Sequence, residues 1–146
     1  MDPEKLFQIA NMAALIAWLA IASFPRSRLI TGFAAQIVVP CLLAIAYIVI
    51  VIRFFDPSGF ANFSTLSGLA SLQGGPWLLL AGWLHYLAFD LFVGTWEVRT
   101  ARGEGLPHLA ILPSLVLTFM LGPAGLLLFV LTRFALRRRL AASDGL

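Results

Sequence analysis

Charge is scarce in this sequence. Asp, Glu, Lys and Arg make up 12% of its 146 residues, about half the share in soluble domains, while 60% are hydrophobic. With a mean hydropathy of +0.93, a soluble fold would have to wrap its apolar stretches in protein, and no polar segment is long enough to do so. Cysteine is nearly absent: Cys41 stands alone, so no internal disulfide can form and redox compartment is undetermined. Histidine occurs twice, and no HxxxH, HxxE or paired-cysteine spacing supports a metal centre. No repeat of fixed period and no low-complexity segment is found.

What charge there is lies at intervals. The longest uncharged stretches are Leu6–Pro25, Leu29–Ile52, Pro57–Phe89 and Gly105–Thr132. Each exceeds or approaches the ~20 residues needed to cross ~30 Å of hydrocarbon. The net charge of +3 does not indicate nucleic acid, because the arginines flank apolar stretches: Arg26 and Arg28, Arg99 and Arg102, Arg133 and Arg137–Arg139. They fit headgroup anchors and topology determinants. The first apolar stretch follows an acidic segment (Asp2, Glu4) and ends in a poor cleavage site, which predicts a retained helix rather than a signal peptide.

The expected fold is all-α: a single polytopic membrane domain, 1–146, with four transmembrane helices at about 4–24, 29–54, 76–98 and 108–131. Pro40 predicts a kink near Gln36–Pro40. Segment 56–75 carries apolar residues at helical spacing, too few to span, and predicts a short interfacial helix. Four spans put both termini on one side, and six of the ten positives there favour cytoplasmic termini.

The third span holds the informative residues: Trp83, His85, Tyr86, Phe89, Asp90, Trp96 and Glu97. An ionisable group in hydrocarbon costs ~2.5–3.5 kcal/mol on insertion scales, so it should face protein or water. At about 100° per residue, with His85 at 0°, Tyr86 falls at ~100°, Glu97 at ~120° and Asp90 at ~140°. That arc is expected to face the bundle interior, with Leu84, Leu87 and Leu91 facing lipid. Asn11, Gln36, Ser114 and Thr118 offer partners from the other spans, and a structural role as interhelical hydrogen bonds is the plain alternative for each. Glu97 could equally be solvated near headgroup level, and the tryptophans could form an interfacial belt. Asp90, about fourteen residues into the span with no basic neighbour, is the strongest functional candidate.

The string Trp83-Leu84-His85-Tyr86-Leu87-Ala88-Phe89-Asp90-Leu91-Phe92-Val93-Gly94-Thr95-Trp96 resembles a signature of the neoxanthin-synthase-like membrane family, relatives of the plant abscisic-acid-deficient proteins. The likeness continues through Gly105-Leu106-Pro107-His108 and Leu112-Pro113 to Leu117–Pro123. Phe63-Ser64, Pro76-Trp77 and Pro40 also match. The resemblance implies an intramembrane isomerase of a carotenoid or related isoprenoid, converting an epoxide to an allene or isomerising a double bond; a short chain without a Ser-rich transit peptide is expected to be a bacterial member, in the inner membrane. Such a redox-neutral reaction needs an acid and a base in a dry pocket, and His85 and Asp90 are the expected catalytic pair. They are ~7.5 Å apart along a helix axis, so both could line one elongated slot. Asn11, Gln36, Trp83, Tyr86, Phe89, Trp96, Glu97 and Thr118 are the expected substrate-binding residues.

No cofactor is implied. The expected partners are a lipid-soluble polyene substrate, membrane lipids and a possible second copy in a homo-oligomer, with no nucleic acid. Three other function classes fit the same residues. One is a non-enzymatic carotenoid, retinoid or lipid carrier. Another is a small proton-coupled transporter using Asp90 and Glu97, two turns apart on one face. The last is metal-assisted chemistry on His85, Asp90, Glu97 and His108.

Overall fold

The computed structural model describes residues 2–72 and 75–143, with side chains through 138. Helix α1 spans Pro3–Ser23, with Asp2 as N-cap and Pro3 at the first position, where a missing N–H is harmless. Helix α2 runs over Ile30–Phe54. Its first nine residues, Ile30–Val38, are π-helical. The cause lies just beyond them: Pro40 has no N–H to bond the carbonyl of Gln36, and its ring crowds that carbonyl. The preceding turns widen, and the Val39 N–H donates to Ala34, five residues back. The expected kink is thus taken up as π-helix.

After α2 come a 3₁₀ segment, Pro57–Ser64, and the short helix α3, Leu66–Leu72. Within the predicted interfacial segment, residues 73 and 74 lie outside the described residues. Phe55, Phe60 and Phe63 cluster here, with ring centroids 5.0 to 6.2 Å apart. Helix α4, Pro76–Gly103, is the longest and packs against α1, α2 and the helices after it. Helices α1, α2 and α4 are each long and apolar enough to cross a membrane, and there is no strand among the described residues.

The predicted fourth span divides in two. Helix α5 covers His108–Leu121 and α6 covers Pro123–Ser143. Gly122 between them adopts φ +39°, a left-handed stop that favours glycine, and Pro123 starts the next helix. The two helices pack side by side as a hairpin: Gly125 abuts the backbone of Thr118 so closely that a Cβ would overlap it. Farther along α6, Phe129 meets Trp96 edge-on at 5.3 Å, and Arg133 bonds Glu104 beyond the end of α4. At 1.5 Å per residue α5 is ~21 Å long, short of the ~30 Å hydrocarbon layer.

The core shows the same division. Ala10, Ala14, Leu43, Ile50, Leu80, Ala81 and Leu84 pack together in one half without the hairpin. Trp18, Ile21, Leu91, Val98, Ile111, Leu115 and Phe129 form the other half with it. Because α6 turns back, it ends beside the Arg-rich end of α4, at the opposite end of the bundle from Pro3. The expectation of termini on one side came from counting four spans; here Pro3 lies beside Pro76 and Arg133 beside Glu104, at the two ends of α4.

Candidate functional site around Asp90 and the hairpin tip

Helix α4 buries a face opposite to the expected one. Leu84, Leu87 and Leu91 are 0%, 5% and 0% exposed and sit in the core, whereas Trp83, Phe89 and Trp96 are 39%, 60% and 37% exposed. The reason is steric. Gly94 lies flush under the Trp18 indole of α1, where a Cβ would overlap the ring, and Ala81, Ala88 and Ala101 let neighbours come close. Small residues and leucines make up most of the packed face, with Thr95 and Glu97 the buried polar residues on it.

The expected single slot is therefore four separate groupings. Asn11 and Trp83 join α1 to α4: Trp83 Nε1–H donates to Asn11 Oδ1 at 3.0 Å, while Asn11 Nδ2 donates to the Phe7 carbonyl at 2.8 Å. Tyr86 stacks on Trp83 at 5.4 Å and neighbours the carboxyl of Asp90, one turn on. His85 lies elsewhere, exposed in an apolar groove of about 480 Å³ beside Tyr47, with Phe55 at the end of α2 and Phe60 and Phe63 of the 3₁₀ segment. Phe89 packs on it at 4.6 Å. His85 lines this groove and Asp90 does not. Gln36 and Trp96 form the third grouping and line a second cavity, near the Arg-rich end.

Glu97 forms the fourth grouping. It is fully buried between α4 and the hairpin, where Thr118 Oγ1–H donates to its Oε1 at 2.8 Å. Its Oε2 and the Oδ2 of Asp90 are buried without a hydrogen-bond partner among the described residues. Asp90 faces the tip of the hairpin, its Oδ1 2.9 Å from where a Cβ of Gly122 would stand. Helix α6 begins there, and first-turn N–H groups have no partner within a helix. Their positive end favours a negative group nearby. The tip stops at the level of Asp90, so Trp83 and half-buried Tyr86 stay open beyond it.

Sequence reasoning missed the hairpin and the role of Gly122, although Gly followed by Pro is a recognised helix stop. Outside the spans, Arg133 hydrogen-bonds Glu104 through Nε at 2.8 Å and 3.0 Å and holds its carboxyl below the usual range. His108 bonds the Ala22 carbonyl at 2.8 Å, at the Arg-rich end and far along the chain from Asp90. Among the described residues no three of the His, Cys, Asp and Glu side chains come together.

The ABA DEFICIENT 4-like family model matches residues 5–129, and the chain belongs to that family. No curated protein and no solved structure matches the chain.

Proposed function

We propose that this member of the ABA DEFICIENT 4-like family is an intramembrane isomerase of a carotenoid or related isoprenoid, with Asp90 and Tyr86 handling the protons. Family membership supports a carotenoid-related role. The observation that carries the chemistry is the pair at the hairpin tip: a carboxylate with one unpartnered buried oxygen, beside a phenol, at a mid-span position reached from the bilayer over Trp83. Opening an epoxide to an allenic alcohol breaks one C–O and one C–H bond and forms one O–H bond and a second cumulated double bond, with no net redox change. Tyr86 suits the donor to the epoxide oxygen, and Asp90 suits the base that takes the proton from carbon. Proton transfer from Asp90 back to Tyr86 resets the pair. Double-bond cis/trans isomerisation could use the same groups.

In this proposal Trp83, held by Asn11, is the surface on which the polyene lies. Glu97 holds the hairpin through Thr118 and does not touch substrate, being wholly buried. His85 belongs to the aromatic groove. That groove favours a second reading, a polyene-binding protein without turnover. Incubating purified protein with an epoxy-carotenoid and separating the products by chromatography tests the proposal. New allenic or geometric isomer supports the enzyme; saturable binding with unchanged substrate supports the carrier.

We further propose an orientation. Lys5 and Arg53 flank one end of the bundle, and the other eight of the ten positives lie toward the opposite end. The positive-inside rule makes the arginine-rich end cytoplasmic, in a bacterial inner membrane, with Pro3 on the other side.

A further inference from the structure

The arginine-rich end contains more than membrane anchors. A cavity of about 780 Å³ is lined by Arg26, Arg28, Arg99 and Arg102, with Gln36 and Trp96, a size within the ~300–1,000 Å³ usual for ligand sites. Two arginines come from the turn between α1 and α2, and two from the last turns of α4. Their positions are built rather than accidental. Arg99 donates to the Gln36 side chain, which projects from the π-helical start of α2. Arg102 donates to the carbonyls of Pro25 and Arg26, at 3.3 Å each, holding the turn against α4.

All of these partners are neutral. Among the described residues the only carboxylate bridges are those of Glu104, and both go to α6, to Arg133 and Arg137. Four arginines thus line one cavity that has no carboxylate among its lining residues. Guanidinium groups bind phosphate oxygens through paired, charge-assisted hydrogen bonds. Exposed Trp96 lines the cavity one turn before Arg99, toward the middle of α4, which suits a ligand with a charged head and an apolar tail.

We propose that this cavity binds a phosphate monoester or diphosphate group, carried on a membrane lipid. The proposal does not rest on the isomerase function. The test titrates full-length protein in neutral detergent with dioctanoyl phosphatidic acid, dioctanoyl phosphatidylcholine or inorganic pyrophosphate, followed calorimetrically. Arg28→Gln/Arg99→Gln removes two cavity charges. Arg137→Gln/Arg138→Gln removes two from the exposed part of α6 and is the control for diffuse attraction.

The expected result is saturable binding of phosphatidic acid but not phosphatidylcholine, weakened roughly tenfold or more in the cavity variant and retained in the control. Pyrophosphate binding as tightly as phosphatidic acid would keep the phosphate site but overturn the lipid as its source. Equal weakening in both variants, or no saturable binding, would overturn the site. Should Arg28→Gln/Arg99→Gln fail to fold, Arg28→Lys/Arg99→Lys keeps the charge and loses the paired geometry; full binding in that variant would also overturn it.

Discussion

Thr118 of α5 donates a 2.8 Å hydrogen bond to Glu97 of α4 inside the apolar half of the bundle, tying a short helical hairpin to the longest helix. Both side chains are 0% exposed, so neither has water as an alternative partner. Thr118→Val removes the donor while keeping the shape. It should destabilise the folded protein by about 1–3 kcal/mol, the cost of leaving a buried polar group unsatisfied. Glu97→Gln keeps an acceptor for Thr118 and should leave melting in detergent nearly unchanged. Melting curves of the two variants check this.

The hairpin also depends on close approach. At Gly125 a Cβ would overlap the Thr118 backbone, and at Gly94 it would overlap the Trp18 ring. Gly125→Ala should be the more damaging, because backbone cannot rotate away as a side chain can. Overpacking of this kind costs typically ~1–3 kcal/mol. Comparable melting temperatures for Gly125→Ala and wild type would show that α5 and α6 are not packed as described.

Outside the membrane, the Glu104–Arg133 pair predicts a pH dependence. The Glu104 carboxyl is held below its usual range by hydrogen bonds from Arg133. Its contribution is therefore complete above the ordinary carboxylate value of ~4.3 and is lost as pH falls through the lower folded value. Protease protection of α6 should hold from neutral pH to about pH 5 and decline only in stronger acid. Glu104→Gln should show the acid-state protection at every pH. A decline centred near neutrality would point to another group.

Much of this was legible from the residues, and the failures have physical causes. The uncharged stretches located α1 and α2, because hydrocarbon thickness fixes the length of an apolar helix, and Pro76 marked the start of α4. Pro40 announced the irregularity that appears as π-helix. Periodicity misassigned the faces of α4, since in a bilayer both lipid and core accept leucine. Gly94, Ala81 and Ala88 mark the packed side through what they lack. The hairpin escaped because 108–131 is apolar throughout, so hydropathy alone reads one span; Gly122-Pro123 and the Glu104–Arg133 pairing carry the contrary information. With the face reversed, His85 lies in the aromatic groove, and the proposed proton pair is Tyr86 with Asp90.

Topology labelling separates a hairpin from a fourth span. Single cysteines placed at Ser27 and at Arg137 in a Cys41→Ala background should react with an impermeant maleimide from the same side of sealed vesicles. A cysteine at Lys5 should react from the other. Labelling of Arg137→Cys on the Lys5 side would restore four spans.

The most direct measurement is turnover per folded molecule in Asp90→Asn, made in detergent beside its melting temperature. Asn keeps the size and removes the proton-accepting carboxylate, so turnover should fall by roughly 10²–10⁴ while melting is largely preserved. Tyr86→Phe should fall in the same way, and His85→Ala and Glu97→Gln should stay near wild type. Full turnover in folded Asp90→Asn, or its loss in His85→Ala with Asp90→Asn active, would contradict proton transfer at the hairpin tip.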